Sequence, residues 1–364
     1  MTPAHELCTL IDALRATARD GRPAALATIT ATRGATFRKT GARMLVHADG
    51  SVVCELSGGC PQRDIVQRAQ RAIAGGRPEL ARYNAYSSLD VLMEMGCGDG
   101  GLDVLIEPLV DARSSAFFDA LADCLENRRN VVMATLFALA GEVVSPRRAL
   151  WCNDRLCFDE IGDTGLHDAI VCVMAANHAR RAITLRLSTV GTEADVLVER
   201  IEPLHALFAI GGNATARALL SVGHALGWQT TLVDPDPARL RGANLPPDTR
   251  AVHATPPTLR DALAVDRYSS VVVMTHNLTQ DQAWLDALRD AQVAYLGAIG
   301  SRGRASRMLR ELSPPIVNLH TPAGLDIGSE TPAEIALAIA AEILAVLNGR
   351  DGGSLRDGDG ALHP

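Results

Sequence analysis

The chain has 364 residues, a length that predicts two domains, and its 42 acidic residues outnumber 35 basic ones for a net charge of −7. This balance argues against a protein whose main role is to bind nucleic acid. Hydrophobic residues make up 47% of the chain and aromatic residues 4%, which is typical of an α/β core of aliphatic side chains and excludes disorder over most of the length.

The sequence does not predict export or insertion into a membrane. The opening residues carry Glu6 and no basic stretch before an apolar run, so no secretory signal is expected. The apolar run from Ile335 to Leu347 is interrupted by Glu342 and is too short to cross a bilayer. We therefore expect a soluble cytoplasmic protein with no membrane partner.

The eight cysteines are expected to be thiols, because the cytosol keeps cysteine reduced. The chain has no Cys-x-x-Cys pair, and the closest spacing is that of Cys152 and Cys157. Since no second pair accompanies these two, they match a zinc site poorly. Small side chains that fill a core are the favoured interpretation.

The first part of the chain predicts an α/β unit. Apolar residues at helical spacing between Leu7 and Ala18 predict an amphipathic helix. Four short strands are expected, at residues 25–30, 42–47, 51–56 and 102–108. Asp49-Gly50 joins the second strand to the third as a hairpin, and residues 64–74 between the third and fourth strands have helical composition.

The same order of elements recurs further along the chain. Residues 134–137 match 27–30, residues 157–161 match 52–56, and Ile201-Glu-Pro-Leu204 matches Ile106-Glu-Pro-Leu109. We predict two related copies, about 25–109 and 132–204, within an N-terminal domain of residues 1–204. The second copy lacks the glycines and cysteines of 57–60 and 96–101, so the fold itself does not require them.

From Leu207 onward strands and helices alternate, which predicts a Rossmann-like parallel sheet over residues 205–348. Gly211-Gly212 follows the first strand, and Asp234 ends the next, about 20 residues later, as in dinucleotide-binding folds. Asn213 replaces the glycine that admits a pyrophosphate, so the sequence does not favour NAD(P) as a cofactor. Residues 349–364 are predicted to be a mobile tail.

Two loops of the first copy are candidates for chemistry. Pro61 suits the first position of a helix, which makes Cys60 its N-cap and Gly58-Gly59 the turn before it. The helix dipole favours a thiolate at Cys60, and the free backbone N–H groups could hold a phosphate. Residues 96–101 are rich in glycine, which lets a backbone approach a ligand, and we expect Cys97 to face Cys60 across a pocket.

Charged and polar residues elsewhere add candidates for ligand binding. A basic cluster near the second strand could pair with an anion, with a solvated sheet edge as the alternative; it comprises Arg33, Arg38, Lys39 and Arg43. Four residues of the second domain lie just past strand ends, where open α/β sheets bind ligands: Thr275, His276, Ser301 and Arg302. His276 could act as a hydrogen-bond donor, an acid or a base, or be structural.

Taken together, these motifs resemble the XdhC/CoxI family, whose members are maturation factors for molybdenum hydroxylases such as xanthine dehydrogenase. The motifs stand in the family's order: Ser57-Gly-Gly-Cys60, Gly96-Cys97-Gly98 before Asp103-Val-Leu-Ile-Glu-Pro-Leu, Val273-Met-Thr-His276, Gly297-Ala-Ile-Gly-Ser301-Arg302, and Gly324-Leu-Asp-Ile-Gly328 with Thr331-Pro-x-Glu334-Ile. The resemblance runs from about Ala25 to Leu347.

The resemblance implies a cofactor-binding chaperone rather than a stand-alone catalyst. Such a protein binds the molybdenum cofactor, works with a cysteine desulfurase to replace an oxo ligand by sulfido, and passes the product to the hydroxylase apoenzyme. Cys60 and Cys97 would contact the metal or carry sulfur. The implied cofactor-binding residues are Ser57, Gly58, Gly59, Gln62, Gly98, Arg43, Gly211, Gly212, Asp234, Thr275, His276, Ser301 and Arg302. Gln62 stands where the family has an acid, which argues against a general acid or metal ligand there.

Two other functions stay open from sequence alone. An NAD(P)-dependent oxidoreductase would use Gly211, Gly212 and Asp234 of the second domain. A protein-binding scaffold would pair with a desulfurase or a hydroxylase without any small-molecule ligand. The sequence also leaves open whether the chain forms a homodimer.

Overall fold

The structure is a computed structural model that describes residues 4–34, 36–57, 59–83, 100–109, 112–162, 164–176, 182–189, 191–241 and 244–357. The chain divides into two units, Met1–Pro203 and Leu204–Pro364. Among the described residues, no helix has both the length and the apolar composition needed to cross a membrane.

The first unit opens with a five-stranded antiparallel sheet and two helices. Its elements are α1 (Ala4–Arg19), β1 (Ala24–Arg33), β2 (Arg43–His47), β3 (Val52–Val53), α2 (Gly59–Gly75), β4 (Glu79–Tyr83) and β5 (Gly101–Pro108). The strand order is β3-β2-β1-β5-β4. The hairpin expected at Asp49-Gly50 joins β2 to β3, and Gly50 has the positive φ of +84° that such a turn requires.

The rest of the first unit repeats this arrangement. Its elements are α3 (Ala112–Glu126), β6 (Val131–Leu139), β7 (Glu142–Cys152), β8 (Arg155–Asp159), α4 (Thr164–Ala176), β9 (Ile183–Thr189) and β10 (Thr192–Ile201). The strand order β8-β7-β6-β10-β9 is that of the first sheet with each strand replaced by its counterpart. The two copies therefore share one topology.

Alternating side chains of the strands face two different cores, since successive residues of a strand point to opposite sides. Leu26 of β1 and Met133 of β6 lie in one core with the apolar faces of α1 and α3. Ile29 of β1 packs instead with α2, and Leu136 of β6 packs with α4. Helices α1 and α3 thus contribute to a core that both sheets share, and each sheet keeps its own helix on the other face.

The hydrogen-bond register corrects one part of the sequence repeat. Leu105 of β5 and Leu197 of β10 occupy the same place in their sheets, each opposite a threonine of the central strand. Glu107 is therefore equivalent to Glu199, whereas the shared letters Ile-Glu-Pro-Leu had matched it to Glu202. The sequence match of this strand is wrong because strand pairing, rather than a short run of identical letters, decides which residues are equivalent.

The second unit is a six-stranded parallel sheet with helices between its strands, which confirms the predicted Rossmann-like fold. Its elements are β11 (Ala206–Ile210), α5 (Ala214–Ala225), β12 (Gln229–Asp234), α6 (Pro237–Arg241), β13 (Arg250–His253), α7 (Leu259–Ala262), β14 (Ser269–Val273), α8 (Leu278–Ala287), β15 (Tyr295–Ala298), α9 (Arg302–Glu311), β16 (Leu319–His320) and α10 (Pro332–Leu347).

The strand order β13-β12-β11-β14-β15-β16 reverses direction between β11 and β14. In open α/β sheets, this switch point and the neighbouring carboxyl ends of strands are where ligands bind. Helix α10 starts as expected, with Pro332 in its first turn and a capping box between Thr331 and Glu334. The loops after β11, β14 and β15 are therefore the places in this sheet where a ligand is expected to bind.

Candidate functional site

The first turn of α2 carries Cys60 two positions further into the helix than expected. The helix begins at Gly59, so Cys60 is its second residue and Pro61 its third, and Cys60 is not the N-cap. Proline is accepted there because the N–H groups of the first turn have no partner within a helix. The side chain of Cys60 lies outside the described part of the chain, as do Gly58, Cys97 and Gly98.

Ser57 and Gln62 flank this turn and are held by contacts within the first unit. Gln62 accepts a hydrogen bond from the backbone N–H of Ser57 at 3.3 Å, and its amide nitrogen lies 3.0 Å from the sulfur of Met44 in β2. Ser57 is buried. The Gln62 amide therefore stabilises the chain segment that leads into α2.

The three arginines of the predicted basic cluster pair with separate carboxylates. Arg33 pairs with Asp103 and Arg38 pairs with Glu6. Arg43, which we expected to bind an anion, is buried and pairs with Glu199. A buried cation requires a compensating partner, and the structure supplies one from within the chain. These arginines do not form the single anion-binding patch that their spacing in the sequence predicts.

In the second unit, the loop after β11 packs directly on the loop after β14. Gly211 has a φ of +116°, and a Cβ atom there would lie 3.0 Å from the backbone of Met274. Asn213 caps α5 by accepting from the N–H of Ala216 at 2.9 Å, and its amide donates to the carbonyl of Met274. The position that a glycine leaves open in dinucleotide-binding loops is thus occupied by an amide that joins two loops.

The carboxylate of Asp234 is engaged by the chain around it. Asp234 ends β12, is fully buried, and accepts hydrogen bonds from the N–H groups of Gly212 at 2.6 Å and Asp236 at 2.8 Å. The guanidinium of Arg239 lies 3.8 Å away. Asp234 therefore connects the loops after β11 and β12 through two backbone hydrogen bonds.

A buried network that the sequence analysis missed fixes the loop after β14. The hydroxyl of Thr275 donates a hydrogen bond to the buried carboxylate of Asp281 in α8. The guanidinium of Arg304 in α9 forms an ion pair with the same carboxylate at 2.5 Å. Arg304 also reaches the carbonyl of His276 at 3.4 Å. The sequence held two signals for this network. Asp281 is an acidic residue in the first turn of α8, which Asn277 caps, and Arg304 lies three residues after Ser301, the cap of α9.

The exposed side of this edge presents polar groups that could bind an anion. The imidazole of His276 is exposed. Ser301 caps α9 by accepting from the N–H of Arg304 at 3.2 Å, and the side chain of Arg302 is 90% exposed. The structure thus brings Thr275, His276, Ser301 and Arg302 to neighbouring strand ends. Helix N-termini and a guanidinium are the groups with which proteins bind phosphate and carboxylate.

A second network missed from the sequence links α10 to the strands β15 and β16. Glu342 accepts from the hydroxyl of Tyr295 at 2.5 Å and from the N–H of Gly324 at 2.8 Å, and it lies 3.3 Å from the imidazole of His320. Burial raises the pKa of Glu342, but the hydrogen bonds from His320, Tyr295 and Gly324 outweigh burial and leave that pKa below its ordinary value. The carboxylate that interrupts the apolar run of α10 therefore holds the segment around Gly324.

Comparisons with known proteins agree with the architecture described above. Residues 207–343 match the XdhC Rossmann domain, and residues 17–84 match the XdhC and CoxI family. A Bacillus subtilis protein, named as a probable xanthine dehydrogenase subunit, is 27% identical over 336 residues, which are 92% of this chain and 96% of that protein. The "molybdenum cofactor insertion chaperone PaoD" of Escherichia coli is 23% identical over 333 residues, covering 90% of this chain and 84% of that protein.

A solved structure extends the similarity to three dimensions. A crystal structure described as a xanthine dehydrogenase from Bacillus halodurans superposes with a TM-score of 0.78 at 25% sequence identity, covering 95% of this chain and 98% of that chain. The two family matches fall in different units and together take in more than half of the chain. The chain belongs to the XdhC and CoxI family.

Proposed function

We propose that this chain is a maturation factor that binds the molybdenum cofactor as cargo and delivers it to a molybdenum hydroxylase. The observation that carries the proposal is similarity over 90% of the chain to a protein named a molybdenum cofactor insertion chaperone. Similarity to the Bacillus subtilis protein, whose name refers to xanthine dehydrogenase, supports the same class of target enzyme. A delivery protein must release its cargo, which calls for a few reversible contacts.

The carboxyl edge of the second unit offers contacts for a phosphate group. Ser301 caps the first turn of α9, and Arg302 begins that helix with an exposed guanidinium. The Asp281–Arg304 pair fixes the backbone of the neighbouring loop, where His276 is exposed. A preordered edge of this kind can hold a phosphate by hydrogen bonds and charge without enclosing it.

We propose that Cys60 and Cys97 act on the metal end of the cargo. A thiolate is the side chain best suited to a soft, sulfur-bound metal, and the first turn of a helix favours the thiolate form. Cys60 is the second residue of α2. A cysteine desulfurase is the proposed source of the sulfur that replaces an oxo ligand, with Cys60 or Cys97 as the carrier or as a metal contact.

Retention of the pterin tests this proposal. The full chain, produced in cells that make the molybdenum cofactor, is expected to co-purify with molybdopterin, measured as its fluorescent oxidation product and as bound molybdenum. Cys60→Ala is expected to lower retention or activation of an apo-hydroxylase without changing the thermal unfolding profile. Cys172→Ala, which removes an exposed thiol from α4, is the matched control.

Two outcomes would overturn parts of the proposal. Absence of pterin from the wild-type chain under these conditions would contradict cofactor binding and would favour a protein-binding scaffold. If Cys60→Ala retains as much pterin and activates the hydroxylase as well as wild type, the Cys60 thiol has no role in the mechanism. The edge of the second unit would then be tested separately with Arg302→Ala.

The strand order of the second unit is that of dinucleotide-binding proteins, so an NAD(P)-dependent oxidoreductase is the alternative function. We expect no nucleotide binding, because Asn213 bridges to Met274 and Asp234 is occupied by backbone N–H groups. Titration with NADH and NADPH, followed by nucleotide fluorescence, distinguishes the two. Saturable binding of either nucleotide would favour the oxidoreductase.

A further inference from the structure

We propose that Cys124, Cys152 and Cys157 form a binding site for a thiophilic closed-shell cation, Zn²⁺ or Cu⁺. The three Sγ atoms all lie within 4.8 Å of one another, and those of Cys124 and Cys157 are 4.0 Å apart. The site lies in the second copy of the repeat and uses none of the residues assigned above to the cofactor. It therefore stands independently of the proposed function.

Three separate elements supply these thiols. Cys124 lies in α3, Cys152 ends β7, and Cys157 lies in β8. The spacing of Cys152 and Cys157 alone made a poor metal site, because only two ligands were visible in the sequence. The third ligand comes from a helix that precedes the hairpin in the chain and packs against it in the core.

The distances fit metal coordination after a small contraction. A zinc–sulfur bond of about 2.3 Å places two sulfurs about 3.8 Å apart in a tetrahedral site and about 4.0 Å apart in a trigonal one. The observed upper limit of 4.8 Å thus requires sulfur movements of about 1 Å or less, within the reach of a side-chain rotation. Soft thiolate ligands select zinc and cuprous ions over magnesium or calcium.

A β-bulge brings Cys157 to this position. In the β7–β8 hairpin, Leu150 pairs with Phe158 and Trp151 with Leu156, so Cys157 is the extra residue that has no pairing partner on β7. Its Sγ donates to the carbonyl of Leu150 at 3.3 Å. Bulges re-aim a side chain and interrupt regular pairing, and they are frequent near functional sites.

Two of the three cysteines are buried and one is exposed, an arrangement that lets an ion enter the site from solvent. Cys124 and Cys152 are buried, whereas Cys157 is exposed and gives an ion access from solvent. Three thiolates around Zn²⁺ leave one net negative charge, and the guanidinium of Arg129, which also pairs with Asp123, lies near enough to offset part of it.

The first copy of the repeat shows that the fold itself does not need these cysteines. By strand register, His47 occupies the place of Cys152, since each is the terminal partner of a central strand. By the same register Val52 corresponds to Leu156 and Val53 to Phe158, so the bulged Cys157 has no counterpart in the first copy. Among the described residues, three converging thiols occur in the second copy alone, so they are a feature of that copy rather than of the shared topology.

The test uses the full chain, reduced with a phosphine, stripped of metal with a chelator and kept free of oxygen. One arm titrates Zn²⁺ and the other Cu⁺, each in competition with a chromophoric chelator, and gel filtration followed by metal analysis counts the retained ions. We expect one tightly held equivalent in at least one arm. Retention of zinc alone indicates a site completed by water, and retention of copper alone indicates a trigonal site.

Variants assign the ion to the three thiols. Cys157→Ser is expected to abolish the tight equivalent, and it should fold because the side chain is exposed; Cys124→Ser tests a buried ligand. Cys172→Ser and the double variant Cys60→Ser/Cys97→Ser are controls that should keep it. No retained ion in either arm, or an unchanged equivalent in correctly folded Cys157→Ser, would overturn the proposal even if Cys124→Ser fails to fold.

Discussion

Arg43 and Glu199 form an ion pair between the two sheets of the first unit, with side chains that are 5% and 2% exposed. The guanidinium also donates to the carbonyl of Gly41 at 2.7 Å. Arg148 and Glu107 form the reciprocal pair, with each arginine reaching the glutamate of the other sheet. Because Arg43 is equivalent to Arg148 and Glu107 to Glu199 by strand register, the two pairs are related by the internal repeat.

Replacing only one residue of the Arg43–Glu199 pair is expected to destabilise the first unit. Arg43→Met leaves the Glu199 carboxylate buried without its partner, so the free energy of unfolding should fall by about 3–5 kcal/mol. The double variant Arg43→Met/Glu199→Leu should recover much of that loss, because no buried charge remains. Denaturant unfolding measures the change, and hydrogen exchange of β2 assigns it to the first unit.

An exposed pair provides the control for that experiment. Arg186 pairs with Asp195 at 2.8 Å while its side chain is 64% exposed. Arg186→Met should therefore change the free energy of unfolding little, because solvent screens an exposed pair. Equal losses in Arg43→Met and Arg186→Met would contradict the conclusion that burial makes the Arg43–Glu199 pair important.

Gly41 is predicted to tolerate no side chain. Its φ is +92°, and a Cβ atom would overlap the Glu199 carboxylate. Gly21 has a φ of +62° with nothing within 4 Å of such an atom, so it is a matched control for backbone strain alone. Gly21→Ala should cost about 1–2 kcal/mol of unfolding free energy, and Gly41→Ala should cost more. A smaller loss at Gly41 than at Gly21 would refute the steric argument.

The buried carboxylate of Asp281 is predicted to hold the loop after β14. Asp281→Asn removes the charge that pairs with Arg304 and weakens the hydrogen bond from Thr275, so we expect a loss of about 1.5–3 kcal/mol. Hydrogen exchange of residues 274–277 should accelerate. Asp290→Asn, which affects an exposed pair with Arg260, is the control and should change neither quantity measurably.

The stability contributed by Glu342 is predicted to depend on pH. Its folded-state pKa lies below the ordinary value of 4.5, so the contribution is complete above that pH and is lost as the pH falls through the folded-state pKa. The difference in unfolding free energy between wild type and Glu342→Gln should therefore be greatest near neutrality and shrink in acid. Unfolding measured at pH 7 and at steps below 4.5 checks this, and parallel pH profiles would disagree with it.

Local features of the sequence were sufficient to predict several elements. Asp49-Gly50 predicts the hairpin between β2 and β3, and Thr331-Pro332 marks the start of α10, because turns and caps are decided by the conformational preferences of a few adjacent residues. The alternation of strands and helices after Leu207 likewise predicted the Rossmann-like sheet. The start of α2 was misplaced by the assumption that proline takes the first helical position.

The sequence by itself thus determined the two kinds of fold, the repeat and the positions of His276 and Ser301 beyond strand ends. Tertiary structure alone decided which side chains meet: Arg43 with Glu199, Asp281 with Arg304, and Cys124 with the hairpin thiols. The physical reason is that backbone preferences act over a few residues, whereas a buried charge or thiol acquires partners only when packing brings distant segments together.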